Sequence, residues 1–145
     1  MGYPKHREEM EVLRRAEKTI PIDRLETVIS LDELISLQNA VKEVNVDETI
    51  RSYIVECASA TRNNPYVYLG VSPRGSLAVM KSCQAYAMLR GRSYVTPDDV
   101  QYLARFVFGH RMILRPEAKY EGVSSEEIID RILTKVPVPV DKVMY

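Results

Sequence analysis

Few side chains in this sequence could do chemistry, and their spacing narrows the choice. Gly70-Val71-Ser72-Pro73-Arg74-Gly75-Ser76 has the two glycines of a phosphate-binding loop at the right separation. The lysine that reaches the terminal phosphates is absent, and Pro73 removes one backbone N–H from the would-be cradle. The segment is not such a loop. No Gly-x-Gly-x-x-Gly occurs either. His6 and His110 stand far apart on separate elements, and Cys57 and Cys83 form no C-x-x-C pair, so no metal site is expected. His110 follows a helical stretch, where an imidazole suits the negative end of the helix dipole. The two cysteines sit among apolar neighbours and read as free, buried thiols.

Charge says more. The chain has 145 residues, 20 basic and 20 acidic, for a net charge of zero. No acid occurs between Cys57 and Thr96, whereas Arg62, Arg74, Lys81, Arg90 and Arg92 all lie there. The neutral total therefore hides a basic middle between acidic flanks. Arg90 and Arg92 follow a helix, where cations favour the dipole. Arg74 falls in the first turn of one, where a cation opposes it. A residue set against local electrostatics suggests an anionic partner, and a structural carboxylate would serve as well. Open N–H groups with Arg74 beside them would hold a phosphate oxygen.

Helices must position these groups. A highly charged helix is expected over residues 5–18, with Met10, Leu13 and Ala16 as a thin apolar stripe. Residues 19–29, interrupted by Pro21, read as linker. Ser30 and Glu33 form a capping box for a second helix, whose apolar face carries Leu34, Leu37, Val41 and Val44. Asp47 caps a third, with Ile50, Ile54, Cys57, Ala58 and Thr61 on one face. After a loop at Asn63-Asn64-Pro65 and an extended stretch over 66–71, Ser72-Pro73 opens a fourth, apolar on several sides and so central, which closes at Gly91. Thr96-Pro97-Asp98-Asp99 starts a fifth, with Val100, Leu103, Ala104, Val107 and Phe108 inward. Ser124 caps the last, with Ile128, Ile129, Ile132 and Leu133 inward. Residues 93–95 and 112–114 are strand candidates for a small antiparallel ribbon. The tail from Val136 alternates proline and valine and should be extended.

The fold class is therefore mainly α, a small helical bundle with a short two-stranded ribbon. With 46% apolar and 28% charged residues, the composition is that of an ordinary globular domain. No apolar run approaches the roughly 18 residues of a membrane helix, and the start has no apolar core of a signal peptide. A cytoplasmic setting without membrane or nucleic-acid partners is expected.

Three groups of residues carry a resemblance. Leu69-Gly70-Val71-Ser72-Pro73-Arg74-Gly75-Ser76-Leu77, Leu89-Arg90-Gly91-Arg92-Ser93-Tyr94-Val95-Thr96-Pro97-Asp98-Asp99-Val100 and His110-Arg111 closely resemble the C-terminal lid of MoxR-type AAA+ ATPases. The likeness reaches back through Leu37-Gln38 and Thr61-Arg62, and forward to Leu114-Arg115-Pro116-Glu117-Ala118 and Val136-Pro137-Val138-Pro139. It implies a helical lid over residues 23–136, preceded by a helix and linker (1–22) left over from a nucleotide-binding domain and followed by an extended tail (137–145). It implies ATP and Mg2+ as cofactors of the full-length protein, with none bound to the lid alone. Arg74 matches the second-sensor arginine, which touches the nucleotide, with Ser72 beside it. Gly75 stands where the family usually has alanine, which should weaken the helix start slightly.

The phosphate loop, magnesium-binding acids, first sensor and arginine finger have no counterpart here. The resemblance thus implies an excised, by itself inactive, piece of a chaperone-like ATPase. Its partners would be its own nucleotide-binding domain, neighbouring subunits of a ring and von Willebrand factor A-type proteins. The competing reading is a stand-alone helical adaptor that docks a partner through Tyr53, Tyr66, Tyr68 and Tyr102.

Overall fold

The computed structural model describes residues 3–17 and 25–139. The expected linker and tail lie partly outside the described residues. The chain divides into two compact units, Met1–Ser36 and Leu37–Tyr145.

In the first unit, α1 spans His6–Ala16. Its N-terminus is closed by the Lys5 N–H, which donates to Glu8 Oε2 at 2.8 Å. None of its residues is buried, and Met10 and Leu13 remain 48% and 62% exposed. Helix α2, Leu31–Lys42, begins at the expected capping box: Glu33 N–H donates to Ser30 Oγ, and Ser30 N–H to Glu33 Oε2. The boundary between the units falls within α2. Its apolar face departs from expectation. No residue of α2 is buried, and Leu34 and Leu37 are both more than two-fifths exposed, so only Val44, beyond the helix, reaches the core.

The second unit is built on four longer helices. Helix α3, Glu48–Arg62, is capped by Asp47, which accepts the Thr49 N–H at 2.8 Å, and it buries Ile50, Tyr53, Ile54, Cys57, Ala58 and Thr61. Helix α4, Pro73–Leu89, packs between α3 and α5, Pro97–Phe108. The buried face of α4 is a row of small residues four apart, Gly75, Val79, Cys83 and Ala87. That spacing keeps one stripe inward and lets the neighbouring helices approach closely. The bulkier Leu77 and Leu89 lie on its open sides. Helix α7, Ser125–Lys135, packs on α3 and α5 through Ile128, Ile129, Ile132 and Leu133. The short α6, Pro116–Tyr120, precedes it and had no clear signal beyond Pro116. Both cysteines are free and buried, and loss of solvation pushes their thiols up, to about 11 for Cys57 and about 12 for Cys83.

The ribbon exists with a different partner. Strand β1, Val67–Leu69, pairs antiparallel with β2, Ile113–Leu114, setting Val67 opposite Leu114 and Leu69 opposite Ile113. Residues 93–95 do not join it. They hold the end of α2 instead: the Asn45 N–H donates to the Ser93 carbonyl at 2.8 Å and the Val95 N–H to the Asn45 carbonyl at 3.0 Å. The chain leaving α3 turns back along 66–69, so the segment after α5 meets that strand first.

Two glycines shape the ends of α4. Gly91, at φ +71°, takes the left-handed position after the helix, where the Arg92 N–H reaches the Ala87 carbonyl and the Gly91 N–H the Met88 carbonyl, closing the last turn. Gly70 lies against the last turn of α3, where a Cβ would sit 2.7 Å from both N and Cα of Arg62. Backbone in a packed helix cannot move aside. Gly70→Ala is therefore expected to cost about 2 kcal/mol or more, read as a drop in the denaturant midpoint of the 145-residue chain; an unchanged midpoint would refute the close approach.

Candidate functional site

The start of α4 is unlike those of the other three longer helices of this unit; the short α6 shares its proline and its lack of a side-chain cap but has Glu117 in its first turn. Asp47 caps α3, the reciprocal pair Thr96–Asp99 closes α5, and Ser124–Glu127 closes α7. Ser72 occupies the cap position of α4 with extended backbone (φ −75°, ψ 165°), yet its hydroxyl makes no capping bond, and the first turn contains no acid. Pro73 has no N–H. The Gly75 and Ser76 N–H groups turn back to the Ser72 carbonyl at 2.8 and 3.3 Å. The Arg74 N–H is thus left without a partner among the described residues. The positive end of the α4 dipole is uncompensated among the described residues.

Arg74 stands in that turn, exposed, with neither hydrogen bond nor ion pair among the described residues. The carboxylate that could have explained its position is absent there. A cation and an open N–H at an uncompensated dipole end are the groups that receive a phosphate oxygen. The chemistry of the site suits a small anionic group such as a phosphate. Among the described residues no cluster of three His, Cys, Asp or Glu side chains could hold a metal ion.

The turn is held in place by the end of α3. Thr61 is fully buried; its Oγ1 donates to the Ala58 carbonyl at 2.6 Å and accepts the Val71 N–H at 2.9 Å. Arg62 Nε donates to the Val71 carbonyl at 2.8 Å. Both backbone groups of the residue before Ser72 are therefore tied to consecutive residues of α3. The sequence contains no mark of this beyond the Thr61-Arg62 pair itself. Gly75, which the resemblance flagged only as a weaker helix former, turns out to be buried against Val71, and a Cβ there would run into Val71 Cγ1.

Three other cations of the basic middle, Arg62, Arg90 and Arg92, have local uses, whereas Lys81 is exposed and without a partner among the described residues. Arg90 donates to the Tyr86 hydroxyl through Nε and Nη2, with its guanidinium 5.1 Å from the ring centre. Arg92, placed by sequence beside the helix dipole, instead forms a two-pronged pair with Asp99 at 2.7 and 2.8 Å. His110 Nδ1 lies 3.0 Å from the Phe106 carbonyl oxygen, at the helix end where its sequence position put it. Of the four tyrosines named as docking candidates, Tyr53 is buried and Tyr66 half-buried, with its hydroxyl on Glu121; Tyr68 and Tyr102 are exposed. No described helix is long and apolar enough to cross a membrane.

Comparison with known proteins bears on the fold and the family. The AAA lid domain family matches residues 59–132, from the last turn of α3 into α7. The chain is 53% identical over 142 residues to the protein YeaC of Bacillus subtilis (strain 168), covering 98% of this chain and 44% of that protein. It is 32% identical to Chaperone MoxR1 of Mycobacterium tuberculosis, covering 96% of this chain and 39% of that one. The crystal structure of a proposed ATPase from Cytophaga hutchinsonii superposes with a TM-score of 0.83 at 28% identity, covering 97% of this chain and 45% of the other. The chain thus spans less than half the length of these relatives. With the family match, the fold and the identities in agreement, the chain belongs to the AAA lid domain family, as a lid of the MoxR type.

Proposed function

We propose that this lid serves a MoxR-type AAA+ ATPase and that Arg74 is its second-sensor residue, meeting the γ-phosphate of ATP from the first turn of α4. One observation carries this reading: the start of α4 has an arginine and an N–H with no partner among the described residues, no side-chain cap and no acid. Ser72, with its hydroxyl uncommitted, would lie beside the same phosphate. The lid would extend over residues 23–136, with 1–22 leading from a nucleotide-binding domain and 137–145 leading away. That domain would supply the phosphate loop and the Mg2+ ligands. In a ring of subunits, loss of the γ-phosphate would release Arg74 and let the lid rotate, and this rotation would remodel a client protein in a chaperone-like way. Von Willebrand factor A-type proteins are the partners this reading favours.

Replacing Arg74 in a protein that carries both domains, with ATP turnover as the readout, tests the reading; unchanged turnover overturns it. The 145-residue chain itself is expected to hydrolyse no ATP and to bind it only weakly, because one phosphate contact is a small part of a nucleotide site. A calorimetric titration giving micromolar affinity would contradict that.

A further inference from the structure

Arg62 is tied to backbone rather than to an acid: no carboxylate among the described residues pairs with it. Its one described side-chain hydrogen bond runs from Nε to the carbonyl of Val71, which is fully buried. Gly70 leaves room for its stem: a Cβ on residue 70 would lie 2.7 Å from Arg62 Cγ. Its neighbour Thr61 takes the Val71 N–H, so the two residues hold the peptide groups on either side of Val71, two positions before Pro73. The start of α4 follows directly from that residue. The Ser72 carbonyl receives the Gly75 and Ser76 N–H groups of α4, and Arg74 is the next side chain but one. An error in the direction of Val71 would therefore displace the arginine head by the length of its side chain.

We infer that Arg62 is a positioning residue for Arg74, locking the Val71 carbonyl so that the first turn of α4 presents its arginine at a fixed angle to α3. This inference rests on the phosphate-contact reading of Arg74. Arg62 need not touch the nucleotide. Its work is to remove the freedom of a loop that would otherwise let Arg74 sample positions short of the phosphate, and small misplacements of a charge-stabilising group are expensive in rate.

The experiment uses the two-domain protein and four variants: Arg62→Met, which keeps the stem and removes the donor, Arg62→Lys, Arg74→Ala, and Arg62→Met with Arg74→Ala. Turnover, KM for ATP and thermal midpoint are measured for each. Arg62→Met is expected to lower kcat about tenfold with KM within a factor of two, and Arg62→Lys to recover part of the loss by donating to the same carbonyl. The double variant is expected to be no slower than Arg74→Ala alone, since a misdirected side chain that is no longer there costs nothing. A purely structural Arg62 would instead give losses that multiply and follow the thermal midpoint, and that result overturns the inference. Full turnover in Arg62→Met with a slowed Arg74→Ala overturns it while leaving the phosphate contact standing. Full turnover in Arg74→Ala removes the phosphate contact and, with it, the role given to Arg62.

Discussion

Arg74→Ala, in a protein that joins this lid to its nucleotide-binding domain, is expected to cut ATP turnover by between tenfold and about a hundredfold. The range follows from a charge-assisted contact of about 1.5–3 kcal/mol lost from the transition state. The effect should fall on kcat more than on KM, because charge on the equatorial oxygens and leaving group is redistributed as the γ-phosphoryl departs, and a fixed cation serves that state best. Arg74→Lys should sit between the two. An ammonium on a flexible stem keeps the charge and loses the planar fork. The folded state gives no reason for either variant to unfold, since Arg74 is exposed and makes no described bond within the chain; removing a cation from the first turn relieves a small dipole penalty. A thermal midpoint equal to or above that of the parent would separate lost chemistry from lost structure. A turnover loss that tracks a falling midpoint would mean that Arg74 supports the fold, contrary to its surroundings.

The helix starts were readable because capping is local chemistry. Asp47, Thr96 with Asp99, and Ser124 with Glu127 each bond within three residues of themselves, so the letters and their spacing state the geometry. The same locality placed Arg74 in a first turn, after Ser72-Pro73. What the letters could not show is that Ser72 would leave its hydroxyl uncommitted, which depends on how Val71 and Gly75 pack beneath it. Strand pairing is non-local. Val67 meets Leu114 across 47 positions, and nothing in residues 93–95 announces that they will hold Asn45 rather than residues 112–114. Arg62 was invisible for a related reason: its partner is a backbone carbonyl, and a carbonyl carries no side-chain identity for a spacing argument to find. Arg92 was assigned to a helix dipole from its place just after α4; that position does not show that Asp99, seven residues on, is turned inward to meet it. Leu34 and Leu37 form a helical stripe that the described chain leaves exposed, a reminder that periodicity names the face and not what covers it.

Asp99→Ala should be the most damaging side-chain truncation outside the apolar core. Asp99 is 3% exposed, its carboxylate accepts three hydrogen bonds, and its own N–H donates a fourth. Arg92 Nη2 and Nη1 lie at 2.7 and 2.8 Å from its two oxygens, the Thr96 N–H donates to Oδ2 at 2.8 Å, and its own N–H reaches Thr96 Oγ1 at 3.4 Å. Truncation leaves the Thr96 N–H and the Arg92 guanidinium without their carboxylate while removing half of the α5 capping box. The pair is partly buried, because Arg92 keeps 26% of its side chain exposed; losing the carboxylate together with its capping bond is expected to cost about 2 kcal/mol, equivalent to a fall of about 6 °C in the midpoint of the 145-residue chain. Asp99→Asn keeps the shape and one acceptor and should cost less than half as much. Burial works against ionisation of Asp99, but the Arg92 guanidinium and the Thr96 bonds outweigh it and hold the carboxyl below the usual aspartate range. Because the folded pKa is the lower one, the pair's contribution is complete above about pH 4, the range of an unfolded aspartate. It declines as the pH falls through the lower, folded value. Thermal melts between pH 2 and pH 7 should therefore show a steeper acid-side loss for the parent chain than for Asp99→Asn, with the two curves converging at the acid end. Parallel curves would mean that Asp99 is not ionised in the fold, and that Arg92 is held by the Tyr94 carbonyl and its ring alone.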